Sequence, residues 1–369
     1  MAEQTSRIRY GVIGAGMMGT EHIHNVMAVD GSVVTAVCDP HPESLEWARI
    51  AVGPTADLAE FHDHRELLDS GLVDAVVIAA PNHTHHEILL DAIERPVHIL
   101  MEKPLCTTLA DCREVVEAAA ASDHERVIWM GLEYRYMAPT QRLLGELEAG
   151  TVGDVKMVAI REHRFPFLPK IDHWNRFSRN TGGTLVEKTC HFFDLMLLIT
   201  QARPVRVYAS GGQSVNHLDE SYDGETPDIL DNAYVVIDFD DGSRGMLDLC
   251  MFAEASVNEQ EIVVTGDVGK MEALVTESKL RIGRRADGMH VVDTQEIHHA
   301  GVKHVGLHHG SSYLEHVDFA AAIRTNAPAA VTLMDGLRSA AIGFAAHRSI
   351  DTGAPVMMSD LRELDGLDW

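Results

Sequence analysis

The sequence predicts an α/β chain: a Rossmann-type, doubly wound parallel sheet at the N-terminus, then an α+β domain with an open, mostly antiparallel sheet. Three observations carry this. Short apolar runs alternate with helical stretches through the N-terminal third. A glycine-rich turn, Gly14-Ala15-Gly16-Met17-Met18-Gly19, separates the first such run from the first helix. Beyond Gly153 the pattern changes to longer alternating segments joined by turn signals. Alternating strands and helices pack as helices on both faces of a parallel sheet. At 369 residues the chain exceeds the roughly 250–300 residues at which single cores stop growing. We therefore expect two domains, 1–132 and 133–369.

The first strand spans 8–13, a helix follows over about 20–29, and a second strand over 33–38 ends at Asp39. In that context the glycines have distinct tasks. Gly14 permits the tight turn, Gly16 lets backbone approach a pyrophosphate, and Gly19 lets the helix pack on the strand. Met17 and Met18 open the helix, whose N-terminus supplies donors and positive potential. Asp39 stands where a carboxylate accepts from adenosine ribose hydroxyls and repels a 2′-phosphate. No arginine follows it in Pro40-His41-Pro42, so NAD is expected rather than NADP.

The run 73–80 is nearly all apolar, as a buried parallel strand should be. It ends at Ala80-Pro81-Asn82, followed by His83, His85 and His86 and a helix to about 94. Ligands bind at the carboxyl ends of such strands, so Ala80, Pro81, Asn82 and His85 are expected beside the cofactor. With no carboxylate partner evident, the three histidines do not point to a metal. A further strand over 98–101 ends in Glu102-Lys103-Pro104. The proline biases Lys103 away from helix. An ammonium there can stabilise a developing alkoxide; a surface lysine ending a strand is the plainer alternative.

Composition narrows the function classes. The chain is 46% hydrophobic and 23% charged, ordinary for a globular enzyme. Its 30 basic and 56 acidic residues give a net charge of −26. Such a surface repels phosphate backbones and anionic headgroups, so neither nucleic acid nor membrane is an expected partner. No apolar run approaches the ~20 residues of a membrane span, and residues 1–10 lack a signal-like apolar core. Five scattered cysteines without a Cys-x-x-Cys pair fit a reducing, cytoplasmic compartment.

Five motifs in order extend along the chain: Gly14–Gly19; Pro81-Asn82 with Glu102-Lys103-Pro104; Tyr134-Arg135-Tyr136; the segment from Gly182-Gly183 through Glu187-Lys188 and His191 to Asp194; and Asp318-Phe319 followed by Asp335-Gly336-Leu337. In these the chain resembles the glucose–fructose oxidoreductase / inositol dehydrogenase / rhizopine-catabolism (Gfo/Idh/MocA) family. The resemblance implies a hydride-transferring enzyme in which Glu102 and Lys103 border the nicotinamide. It makes Lys103 the family's catalytic lysine and His191 its general base.

The residues around His191 support a site on their own terms. At 100° per residue, Glu187, His191 and Asp194 fall within about 60° on one helix that is otherwise apolar nearly all round. Charged groups on a buried helix need partners, a ligand or a cavity. An imidazole accepts a hydroxyl proton near neutral pH. Glu187, where the family commonly has Asp, either orients His191 or binds a neighbouring hydroxyl. Lys188 departs from the usual small or apolar residue, and either neutralises Glu187 or touches substrate. Asp194 reads better as a packing partner than as a catalyst. Arg135 binds substrate oxygens or makes a domain-linking ion pair. His163, Trp174 and Asn175, in the loop before Gly182, complete the expected sugar-binding set.

In the second domain, strands are expected at 155–161, 205–210, 232–240 turning at Asp241-Gly242 into 243–251, 261–266 and 269–274. Helices are expected at 313–324 and 335–351. Relatives use one sheet face for substrate and the other for an oligomer interface, so a homo-dimer or tetramer through this sheet is expected. His298, His299, His304, His308 and His309 lack cysteine or carboxylate at ligand spacing, so no metal is expected. They form either a solvated loop or one folding over the sugar. The leading functional reading is NAD-linked oxidation of a secondary alcohol on a sugar, cyclitol or glycoside, with sugar C3 favoured. The alternatives are a redox-neutral, NAD-retaining glycoside-cleaving enzyme and a non-catalytic dinucleotide or sugar sensor.

Overall fold

The structure, a computed structural model, describes residues 7–54 and 56–367. In chain order its elements are β1 Ile8–Ile13, α1 Met17–Ala28, β2 Ser32–Cys38, α2 Pro42–Val52, β3 Ala59–Phe61, α3 His64–Asp69, β4 Ala75–Ile78, α4 His85–Ile93, β5 His98–Glu102, α5 Leu109–Ala121, β6 Ile128–Gly131, α6 Ala138–Glu148, β7 Val155–His163, α7 Ser178–Thr181, α8 Thr184–Glu187, α9 Cys190–Thr200, β8 Pro204–Gly212, β9 Asn232–Phe239, β10 Arg244–Cys250, β11 Gln260–Gly266, β12 Gly269–Leu274, β13 Lys279–Arg284, β14 Asp293–Glu296, α10 Ser311–Thr325, α11 Leu333–Thr352 and β15 Val356–Met357. They fall into two compact units. One holds the residues up to Glu133 and Gly301–Leu337; the other holds Tyr134–Ala300 and Arg338 onward.

In the first unit six strands pair in the order β3-β2-β1-β4-β5-β6, all parallel. Strand order reverses between β1 and β4, and ligands bind at that crevice in doubly wound sheets. Assigning residues 301–337 to this unit corrects the single boundary expected at 132/133. The reason is apolar: Phe319 of α10 is fully buried, with its ring edge-on to Tyr10 of β1 and Trp129 of β6. Local periodicity announces the helix but not its neighbour.

The second unit is built on a nine-stranded sheet, β14-β13-β12-β11-β7-β10-β9-β8-β15. Among the described residues only the β7–β10 pair of this sheet is parallel. Asp241-Gly242 makes the expected hairpin turn between β9 and β10, with Gly242 at φ 85°. Alternation sorts each strand between the faces: on β7, Val158, Ile160 and Glu162 are buried while Met157, Ala159, Arg161 and His163 are not. The buried helix expected through residue 187 into the 190s is instead two pieces, α8 and α9, divided at Lys188-Thr189. The 100° count from Glu187 to His191 therefore does not carry across the break.

Candidate active site

The first unit supplies a dinucleotide cradle at the β1/β4 crevice. Gly14 has φ 87°, and a Cβ on it would lie 2.5 Å from the Ala80 backbone nitrogen; only glycine fits both constraints. A Cβ on Gly19 would lie 1.9 Å from the Gly14 carbonyl oxygen, whereas one on Gly16 would point into open space. Helix α1 has no side-chain cap and no acid in its first turn, so its N-terminal N–H groups remain available to an anion. Asp39 accepts from the Ala15 backbone N–H at 2.8 Å and the His41 N–H at 2.9 Å. It thus braces the glycine turn and retains lone pairs for further donors. Asn82 is buried, and its Nδ2 has no hydrogen-bond partner among the described residues. A cradle open at Gly16, an uncapped helix and an orphaned buried amide together fit a bound NAD.

Around Lys103 the carboxylate of Glu102 is fully engaged. Its Oε2 accepts from the Lys103 backbone N–H at 3.0 Å, and its Oε1 lies 2.9 Å from His22 Nε2. Burial opposes the Glu102 charge, but the His22 hydrogen bond and the charges of Lys103 and His308 outweigh it and hold the carboxyl at about 2. His85 differs from expectation. Its ring nitrogens face the Pro104 carbonyl at 2.8 Å and the Ala80 carbonyl at 3.0 Å, so it braces the loop against the Lys103-Pro104 turn. His86 does have carboxylate neighbours: its ligand atom and those of Asp111 and Glu114 on α5 all lie within 4.8 Å of one another. The loop sequence alone hides these carboxylates.

The second unit supplies a buried polar cluster around His191. His191 is 2% exposed and stacks on Tyr134, with ring centroids 4.0 Å apart and planes at 10°. Glu187 is buried at the end of α8. Arg135 forks onto Asp194, with Nε donating to Oδ2 at 2.7 Å and Nη2 to Oδ1. This ion pair lies within the unit. Lys188 is 4% exposed; its Nζ lies 2.9 Å from Glu162 Oε1 and donates to the Tyr134 hydroxyl at 2.6 Å. Burial pushes the Glu162 carboxyl up, while the Lys188 and Arg164 charges pull it down. Sequence reasoning missed Glu162 and the stacking role of Tyr134. The alternation of Val158, Ile160 and Glu162 places that carboxylate on the buried face.

Of the three expected substrate residues before Gly182, His163 sits differently from its sequence-based placement, while Trp174 and Asn175 lie in the segment between β7 and α7. His163 is the last residue of β7 rather than part of a loop. It lies on the sheet face opposite Glu162, with Nε2 3.0 Å from Asp248 Oδ1. Asn175 is buried and donates to the Leu168 carbonyl at 2.9 Å. Trp174 is half-buried, and its carbonyl accepts from Asn180 at 3.0 Å. The histidine-rich segment divides. His298, His299 and His309 are exposed, whereas in the first unit His304 lies 3.6 Å from Glu21 and His308 lies 3.7 Å from Glu133.

Comparison with known proteins places these features in a family context. The family model described as oxidoreductase family, NAD-binding Rossmann fold, matches residues 8–131. The model described as oxidoreductase family, C-terminal alpha/beta domain, matches residues 145–358. The chain is 28% identical over 359 residues to the myo-inositol 2-dehydrogenase of Thermotoga maritima, covering 96% of this chain and 99% of that protein. A probable dehydrogenase of known structure from Thermotoga maritima is 25% identical with a TM-score of 0.76, covering 96% of this chain and 100% of that one. Levoglucosan dehydrogenase in complex with NADH and levoglucosan shares the fold with a TM-score of 0.82, at 21% identity over 95% of this chain and 99% of that one.

Proposed function

The chain belongs to the Gfo/Idh/MocA oxidoreductase family, and from that premise we propose that it is an NAD-dependent dehydrogenase oxidising a secondary hydroxyl of a sugar, cyclitol or glycoside to a ketone. The 3-position of a sugar ring is the first candidate carbon. The observation that carries this reading is His191, a buried imidazole laid flat on Tyr134 in a chain whose other unit carries the dinucleotide cradle. His191 takes the hydroxyl proton. Lys103 stabilises the alkoxide that remains, and Glu187 orients His191 or holds a neighbouring hydroxyl. Bound NAD supplies the hydride acceptor. The likeness to a myo-inositol 2-dehydrogenase over nearly the whole chain supports a cyclic polyol substrate.

A homo-oligomer formed through the open face of the nine-stranded sheet belongs to the same proposal. Tyr208, Val236 and Met246 lie in register on adjacent strands and are 45%, 42% and 41% exposed. An exposed apolar row of this kind supports the reading of this face as a protein-binding surface. No helix among the described residues is long and apolar enough to cross a membrane, and all five cysteines are free, which supports a cytoplasmic setting.

The test is NADH formation, followed by absorbance, over a panel of inositols, monosaccharides and glycosides. Turnover with at least one cyclic polyol, abolished by His191→Asn with NAD affinity retained, is the expected result. Aglycone release with no net NADH across the panel would overturn the dehydrogenase reading in favour of redox-neutral glycoside cleavage.

A further inference from the structure

A lysine beside Glu187 invites the reading that it serves the substrate, yet its ammonium is held elsewhere. Lys188 Nζ reaches Glu162 Oε1 at 2.9 Å and the Tyr134 hydroxyl at 2.6 Å. The same hydroxyl accepts from Gln260 Nε2 at 3.0 Å. These groups come from the junction of α8 and α9, from β7 and from the first residue of β11. All are buried, with Glu162 at 0% exposure. A buried ion pair is seldom more stabilising than apolar residues of the same volume. Its presence directly behind the ring that supports His191 calls for a role other than stability.

We propose that Lys188 is a positioning residue for His191: by holding the Tyr134 hydroxyl, it fixes the ring on which the imidazole stacks and so the direction the imidazole faces. This rests on the reading of His191 as the general base. Two flat rings in contact slide and rotate over one another at little cost, because offset-stacked arrangements are close in energy. A phenol ring tethered at its oxygen by donors from two different elements cannot slide. The neighbouring residues make a second tie, since Arg135 forks onto Asp194 one turn after His191. The segment carrying Tyr134 and the helix carrying His191 are thereby locked together on both sides of the stack. Proton transfer needs this, since misplacing a reacting group by about 1 Å can cost on the order of a hundredfold in rate.

Two variants test the tether in the full-length protein. Tyr134→Phe keeps the ring and removes the oxygen. The double variant Lys188→Met/Glu162→Gln removes both buried charges at nearly constant volume. One readout is steady-state kinetics with NAD and the best substrate of the panel above. The other is the His191 ring resonance in protein labelled with ¹³C at histidine Cε1, identified by its disappearance in His191→Asn. We expect kcat to fall at least about tenfold in both variants, KM to stay within about threefold, and the His191 resonance to move. If Lys188 instead contacts substrate, KM rises in the double variant while Tyr134→Phe matches the unsubstituted protein in kcat and resonance, and the proposal is overturned. Should the double variant not fold, Tyr134→Phe decides alone. Failure of the general-base reading is a separate outcome: His191→Asn would retain turnover, while the resonance would still report whether the tether sets the ring.

Discussion

His22 Nε2 lies 2.9 Å from Glu102 Oε1, and His22 Nδ1 lies 2.8 Å from His316 Nε2, so a buried carboxylate and two imidazoles form one chain behind Lys103. The chain fixes its own tautomers. An ionised Glu102 accepts from His22 Nε2–H, which leaves His22 Nδ1 to accept from His316 Nε2–H. His316 Nδ1 is then a bare acceptor, and it has no hydrogen-bond partner among the described residues. Burial holds the His316 imidazole well below its ordinary range, as this neutral arrangement requires.

His22→Ala should therefore leave Glu102 buried against a missing donor, at a cost on the order of 3 kcal/mol in urea unfolding. His22→Gln keeps an N–H to donate and should recover at least about half of that loss. A loss below about 1 kcal/mol for His22→Ala would mean that water replaces the imidazole without penalty.

The glycines of the cradle separate folding from binding. Gly14→Ala forces a Cβ to 2.5 Å from backbone at φ 87°, so it should lower stability by about 2 kcal/mol or more. Gly16→Ala meets nothing within 4 Å at φ −68°; it should melt within a few degrees of the unsubstituted protein yet bind NAD at least about tenfold more weakly. Thermal melts with and without NAD check both. Equal NAD affinity in Gly16→Ala would place the pyrophosphate elsewhere.

These two glycines also show what the sequence made legible. The cradle is written locally: a strand, a turn and a helix within residues 8–28 leave little freedom, and each glycine has one explanation. Asp39 is local in the same sense. The polar clusters are not. His22 and His316 are 294 positions apart, and Tyr134 meets Gln260 across 126; no spacing rule encodes such pairs. Lys188 was visible as an anomaly, but its partners come from β7 and from the segment before α6. Glu162 was partly readable, because alternation along β7 sorts it with Val158 and Ile160 onto the buried face. The same alternation turns His163 to the other face.

From that sorting, His163→Ala should leave kcat/KM within about threefold, since its ring pairs with Asp248 on the face opposite Glu162. The pair is partly exposed, so its loss should cost no more than about 1 kcal/mol. Kinetics on the panel substrate check this. A drop of a hundredfold would show that the open sheet face takes part in the reaction.

The last prediction concerns acid stability and rests on His347. Its Nε2 accepts from the Leu185 backbone N–H at 3.1 Å, and burial pushes the imidazole down to about 4. Only the neutral ring can accept, so folding favours the unprotonated form. The unfolded chain protonates this residue near 6.5, the folded chain only near 4. Stability from His347 is therefore complete above pH 6.5 and is lost as pH falls through 6.5 toward 4. Between pH 7 and pH 5 the loss should be about 2 kcal/mol. The Glu102 carboxyl, held at about 2, works in a lower window, between about 4.5 and 2. His347→Gln retains an acceptor for Leu185 but cannot titrate, so its stability should fall by about 2 kcal/mol less than that of the unsubstituted protein over the same interval. Urea unfolding at pH 7 and pH 5 gives both slopes. Identical slopes would show that the His347 ring binds protons in the fold as readily as in the unfolded chain, with the Leu185 N–H satisfied by another acceptor.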